Sequence, residues 1–247
     1  RNAREIKRGL KRSDFKLFAF EESFDKGGFF DEVDIDGENY LRGRIDRIDK
    51  AGDLIRIIDY KTGAKSFKLV NVLNGLDLQL IVYMMAASDK DFKPVASFYL
   101  PLRDEIEKMD KVSLTDQENL KEILADKFQM TGLLLKVNEE VIRLMDRDYD
   151  KDKLAVFDPK KNEIVSPEDF EVLTDFAKDL IKQIIENIKK GLIDLRPVRE
   201  NKQIKECTYC DYRGICKFDE IIDSDRFRDI DKSLKIEDIK RDAYDRD

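Results

Sequence analysis

The stretch Gly43-Arg44-Ile45-Asp46-Arg47-Ile48-Asp49, with Ile57-Ile58-Asp59-Tyr60-Lys61-Thr62-Gly63 eight residues further on, decides the fold of this chain. Leu41, Gly43 and Ile45 alternate with Arg42, Arg44 and Asp46, the period of two expected of a strand. Leu54-Ile55-Arg56-Ile57-Ile58 is nearly all apolar, as in a strand buried on both faces. Lys50-Ala51-Gly52-Asp53 separates the two and carries a turn glycine. The segment therefore reads as a β-hairpin. A Gly52-Asp53 loop sets Asp46 opposite Asp59, and an Ala51-Gly52 loop makes Asp59 its diagonal neighbour; both place the two aspartates on one face. A three-residue loop puts Asp46 on the other side. Lys61 shares the face of Asp59, because alternate residues of a strand point the same way.

Two carboxylates and an ammonium at one sheet end have two readings. Like charges packed together are costly unless a cation lies between them. Hard oxygen ligands suit Mg²⁺, which keeps waters and bridges to phosphates. A lysine beside such an ion can hold the attacking water, so the set suits metal-assisted phosphodiester hydrolysis. The plainer reading is a solvated ion-pair cluster, common in a chain with 41% charged residues. The apolar runs that lead into both aspartates favour the first.

Gly-Arg-Ile-Asp, a short hairpin, then Ile-Ile-Asp-Tyr-Lys-Thr-Gly resembles the signature of the RecB-like group of PD-(D/E)XK nucleases, and Gln79-x-x-x-Tyr83 is similar to the helix motif that follows it there. Within that group the likeness is to the C-terminal nuclease domain of the AddB family, whose members are subunits of bacterial AddAB-type helicase-nucleases. Gly132-Leu133-Leu134-Leu135 and Val141-Ile142-Arg143-Leu144-Met145-Asp146 resemble segments of that family, as do Cys207-Thr208-Tyr209-Cys210 and Cys216-Lys217-Phe218-Asp219-Glu220. The resemblance implies Asp46, Asp59 and the Tyr60 carbonyl as Mg²⁺ ligands, Lys61 as the catalytic cation, and Gln79 and Tyr83 as active-site residues. It further implies a DNA strand delivered by an AddA-type helicase subunit, and a [4Fe–4S] cluster on Cys207, Cys210 and Cys216 with a fourth cysteine upstream. Glu21 matches a family glutamate; a solvated strand-end carboxylate is the other reading. For Tyr83 the plain alternative is a core aromatic, and for Gln79 a surface residue. A nuclease-like module that only docks DNA ends and a partner, and a stand-alone exonuclease, are the competing functions.

Composition sets bounds around this. The 247 residues allow one large domain or two small ones, and 41% hydrophobic content can fill a core. A net charge of −7 argues against strong non-specific duplex binding by this chain alone. Three cysteines and no histidine are not a disulfide framework; spaced as they are, they read as an intracellular metal or cluster site, with zinc or plain buried thiols as alternatives. The missing fourth cysteine and the missing histidine helix before the first strand depart from the family pattern. No run is long enough to span a membrane and no signal peptide is visible, so a cytoplasmic location is expected. The chain opens at Arg1 and is read as a fragment.

The expected fold is α/β: a mixed sheet of about four or five strands with helices on both faces. Residues 1–205 form the nuclease-like domain, 206–220 the cysteine segment and 221–247 a charged tail that is a surface helix or a mobile end. Residues 1–12 read as the end of a helix, Phe15 to Phe24 as the first core strand, and Pro94 to Leu102 as a later one. The spacing of Val72, Leu73, Leu76, Leu80, Tyr83 and Met84 predicts one helix over Leu69 to Ser88. Thr115-Asp116-Gln117-Glu118 is a capping box, and Ser166-Pro167-Glu168-Asp169 opens a long helix that ends at Gly191.

Overall fold

A computed structural model describes residues 2–63, 65–88, 92–102, 129–150, 157–200, 207 and 210–244. The capping box at Thr115 and the helix it opens lie outside the described residues. Helix α1 (Asn2–Arg12) leads into β1 (Lys16–Phe24), and a small hairpin, β2 (Val33–Asp34) with β3 (Tyr40–Leu41), follows. Then come the central hairpin β4 (Gly43–Ala51) and β5 (Leu54–Lys61), the helices α2 (Leu69–Leu73) and α3 (Gln79–Ala87), and β6 (Lys93–Pro101). Strand β7 (Thr131–Leu135), helix α4 (Glu139–Met145), β8 (Glu163–Val165) and α5 (Pro167–Lys189) complete the main body. Beyond it lie β9 (Val198–Arg199), the short α6 (Arg213–Cys216), β10 (Arg228–Asp229) and α7 (Ile236–Tyr244).

The sheet has six strands in the order β1-β4-β5-β6-β7-β8. It is mixed: β5 pairs with β6, and β7 with β8, in parallel, and the other neighbours are antiparallel. The sixth strand is β8, three residues long, too short for a periodic signal. The β-branched run of β5 behaves as its composition dictates, with Ile55, Ile57 and Ile58 at most 1% exposed. Ile48, Ile57 and Tyr99 pack with Val72, Leu80, Met84, Leu173 and Ala177 in one core cluster. Ile58, Phe98, Leu100 and Leu134 meet Phe15, Met145 and Phe157 in another, so helices do cover both faces.

Two expectations change, and one open alternative, the surface helix in the tail, is the one observed. First, β1 is an edge strand, and Leu17, Phe18 and Phe20 are exposed although Phe15 and Phe24 are buried. A bulge between Leu17 and Ala19 breaks its alternation against β4. Second, the helix expected over Leu69 to Ser88 is two helices. The chain turns at Asn74–Leu78, with Gly75 at φ 77° and Asp77 at φ 53°, so that Gln79 begins a new helix instead of lying inside one. The charged tail is docked. Ile236 is buried, Leu234 and Ile239 pack on the first cluster, and Lys240 pairs with Asp169 of α5 at 2.5 Å. Ser166 caps α5 through the Asp169 N–H, with Pro167 in its first turn, as its residues demand.

Candidate active site

The register of the central hairpin is set at its turn. Ala51 faces Leu54, so the loop is Gly52-Asp53, and Gly52 at φ 64° supplies the conformation that the first position of a type II′ turn needs. The ladder runs to Arg47 opposite Ile58. One step further along this register brings Asp46 opposite Asp59. There the Tyr60 N–H donates to Asp46 Oδ2 at 2.9 Å, while β5 continues its pairing with β6 as far as Lys61 and Pro101. The Asp46 carboxylate is thereby fixed by the backbone of the strand that bears Asp59 and Lys61.

Asp59 is 2% exposed. Burial pushes its carboxyl above the usual aspartate range; Lys61 and Lys65 pull it down, and the charge of Asp46 pushes it up. The Lys61 ammonium lies 2.5 Å from Asp59 Oδ2. The lysine therefore takes up that buried oxygen. Lys61 donates to Gln79 Oε1 at 2.8 Å, and Gln79 Nε2 donates to the Tyr83 hydroxyl at 2.7 Å. The break before α3 makes this possible, because it sets Gln79 in the first turn with Tyr83 one turn later on the same face. Burial, and the nearby charges of Asp59 and Asp46, push the Tyr83 hydroxyl up to about 12, so it keeps its proton. Phe24 packs edge-on against Tyr83, with ring centroids 6.1 Å apart. Gly43 leaves room for that ring: a Cβ there would lie 2.6 Å from Phe24 Cζ.

The structure thus brings Asp46, Asp59, Lys61, Gln79 and Tyr83 together. Glu21 stands apart from them. It pairs at 3.3 Å with Arg44, and both side chains are exposed. Cys210 is exposed, and Cys207 and Cys216 are half-buried. Among the described residues no group of three His, Cys, Asp or Glu side chains is arranged to hold a metal ion. The three thiols therefore do not by themselves fit a complete [4Fe–4S] cluster. Asp46 and Asp59 are a different matter. Two carboxylates brought together beside the Tyr60 main chain are the hard oxygen donors that suit a divalent ion such as Mg²⁺.

Several neighbours of the site carried no signal in the sequence. Lys65 and Lys61 place their ammonium groups 4.9 and 5.0 Å from the centroid of Tyr99, which sits beside Asp59 in the sheet. Behind the hairpin, Asp49 accepts two hydrogen bonds from Arg47 and two from Arg56, and all three residues are at most 3% exposed. Arg47 also donates to the Tyr60 hydroxyl at 3.2 Å. The +1 and −3 spacing of these arginines from the aspartates hid the network, since it looks like ordinary surface charge.

With this geometry in hand, the chain belongs to the PD-(D/E)XK nuclease superfamily, which matches residues 2–217. Its relatives include the B subunit of the ATP-dependent helicase/deoxyribonuclease of Clostridium perfringens, 35% identical over 95% of this chain and 22% of that protein. The protein of the same name from Thermoanaerobacter sp. is 36% identical over the same shares, and that of Clostridium acetobutylicum 34% identical over 92% and 21%. The chain therefore spans about a fifth of the length of the curated relatives it matches. Among the described residues no helix is long and apolar enough to cross a membrane.

Proposed function

We propose that this chain is the nuclease domain of a helicase/deoxyribonuclease B subunit and hydrolyses phosphodiester bonds of a DNA strand with Mg²⁺. The observation that carries the reading is the convergence of Asp46, Asp59 and Lys61 at one sheet end, with Lys61 tied through Gln79 to Tyr83. Asp46, Asp59 and the Tyr60 carbonyl would hold the ion, which supplies a water of lowered pKa and neutralises phosphate charge. Lys61, with one donor left beyond Asp59 and Gln79, donates to the phosphoryl oxygen as charge builds on it. Gln79 fixes the lysine, and the protonated Tyr83 fixes Gln79. The water oxygen bonds to phosphorus and gives up a proton to solvent, the bond from phosphorus to the sugar oxygen breaks, and the departing oxygen takes up a proton from solvent.

In the longer protein the strand comes from a duplex unwound with an AddA-type partner in the cytoplasm, during break repair. Cys207, Cys210 and Cys216 would hold a [4Fe–4S] cluster only once drawn together with a fourth thiolate from elsewhere in that protein. A docking module without catalysis is disfavoured, because it has no use for two aspartates and a lysine brought together in this way. The test is cleavage of an end-labelled single strand by the full chain with Mg²⁺ or with chelator. Cleavage should need the metal and vanish in Asp46→Ala; undiminished cleavage by that variant excludes the site.

A further inference from the structure

Lys65 lies four residues beyond Lys61 and faces the other acid of this region. Its ammonium is 2.8 Å from Asp77 Oδ1, and Asn71 Nδ2 donates to Asp77 Oδ2 at 2.9 Å. Asp77 occupies the left-handed backbone region in the break between α2 and α3, a conformation unfavourable for a residue with a Cβ. Its side chain is 16% exposed, and that of Lys65 is 38% exposed. An acid held in a strained turn thus fixes the direction of a lysine whose head still reaches solvent. The ammonium groups of both lysines lie over the fully buried Tyr99 ring at nearly the same distance. Two cations are set by one ring, the inner beside Asp59 and the outer toward solvent. An ammonium has three donors and Asp77 takes up one direction, which leaves capacity for an anion arriving from outside.

A strand laid across Asp46 and Asp59 carries a phosphate at every nucleotide, so a cation next to the cutting centre meets the neighbouring phosphate. A compact ammonium suits this as a point charge that does not demand one angle of approach. Resting on the nuclease reading above, we propose that Lys65, oriented by Asp77, grips a phosphodiester group of the bound DNA strand adjacent to the one that Lys61 faces. Lys65 is then a substrate-binding residue and Asp77 a positioning residue. Lys61 serves the chemical step, and Lys65 serves the hold on the strand.

The distinguishing readout is salt dependence, because each neutralised phosphate on a single strand contributes about 0.7 to the slope of log affinity against log salt. Binding of a labelled single-stranded oligonucleotide to the full chain is measured by anisotropy in Ca²⁺ across a salt series. Steady-state cleavage in Mg²⁺ is measured in parallel. Lys65→Ala and Lys65→Gln should lower the binding slope by about 0.7, raise KM several-fold, and leave kcat within about twofold and the melting midpoint unchanged. Lys65→Arg should keep the slope. Asp77→Asn, with the lysine present but unaimed, should raise KM by less while keeping the slope. Unchanged slope and KM in both Lys65→Ala and Lys65→Gln would overturn the proposal. If wild type fails to cleave yet loses its slope on Lys65→Ala, the grip stands and the nuclease reading falls.

Discussion

Asp59 is placed where its charge is least welcome. Burial raises its pKa, and the neighbouring lysines only partly offset this. A raised carboxyl pKa means that the folded state holds its proton to higher pH than the unfolded chain does, so stability is lost as pH rises through that interval. Asp59→Asn removes the charge at nearly constant shape. In the absence of divalent metal it should raise the melting midpoint at neutral pH, and the gap from wild type should close in acid below the ordinary aspartate pKa. Thermal melts over pH with chelator present check this, and a lower midpoint for the variant at neutral pH contradicts it. The same substitution should abolish cleavage, since the ligand is lost. That Asp46, Asp59 and Lys61 meet at one sheet end was legible in the sequence, because apolar runs lead into both aspartates and Lys61 follows Asp59 by two residues. Lys65 and Asp77 were not, because their meeting depends on a turn at Asn74–Leu78 that apolar spacing continues straight through.

At the scale of elements, the hairpin was readable but its register was not: Gly52 fits both an Ala51-Gly52 and a Gly52-Asp53 loop, and only the pairing of Ala51 with Leu54 selects the second. The edge status of β1 was not readable, because exposed Phe18 and Phe20 look like core residues in a string of letters. Contacts between strands also leave sharp demands at two glycines. A Cβ on Gly132 in β7 would lie 2.1 Å from the Ser97 carbonyl oxygen and 2.8 Å from Phe98 Cα, both backbone atoms of β6. The ring of Phe24 that crowds Gly43 is a side chain and can turn away. Gly132→Ala should therefore cost about 3 kcal/mol or more of stability and Gly43→Ala less, about 1–2 kcal/mol, the range of overpacked cores. Urea denaturation of the two variants provides the ranking, and equal losses would contradict the backbone argument.

Across the whole molecule, the C-terminal segment reaches back to the site. Asn74 in the α2–α3 break donates to the Asp231 carbonyl at 2.9 Å and accepts from the Asp231 N–H at 2.9 Å, and Arg228 donates to the Asn74 carbonyl at 2.5 Å. The tail therefore secures the turn that positions Asp77 and begins the helix of Gln79. Removing residues 228–247 should lower stability by about 2–4 kcal/mol through the uncovered apolar cluster, and slow cleavage without changing metal affinity; denaturant melts and cleavage assays report both. In the sequence this segment read as alternating charge, because among the described residues only Leu234, Ile236 and Ile239 anchor it to the core and its hold on Asn74 runs through backbone and amide groups. If two aspartates hold the ion while Lys61 acts on the scissile group, Lys61→Ala separates these functions. Single-turnover cleavage of an end-labelled strand at saturating Mg²⁺ should fall by roughly a hundredfold or more, the scale of one lost preorganised donor, with calorimetric Mg²⁺ affinity within a few-fold of wild type. A Lys61→Ala rate near wild type, at any metal affinity, would contradict the account.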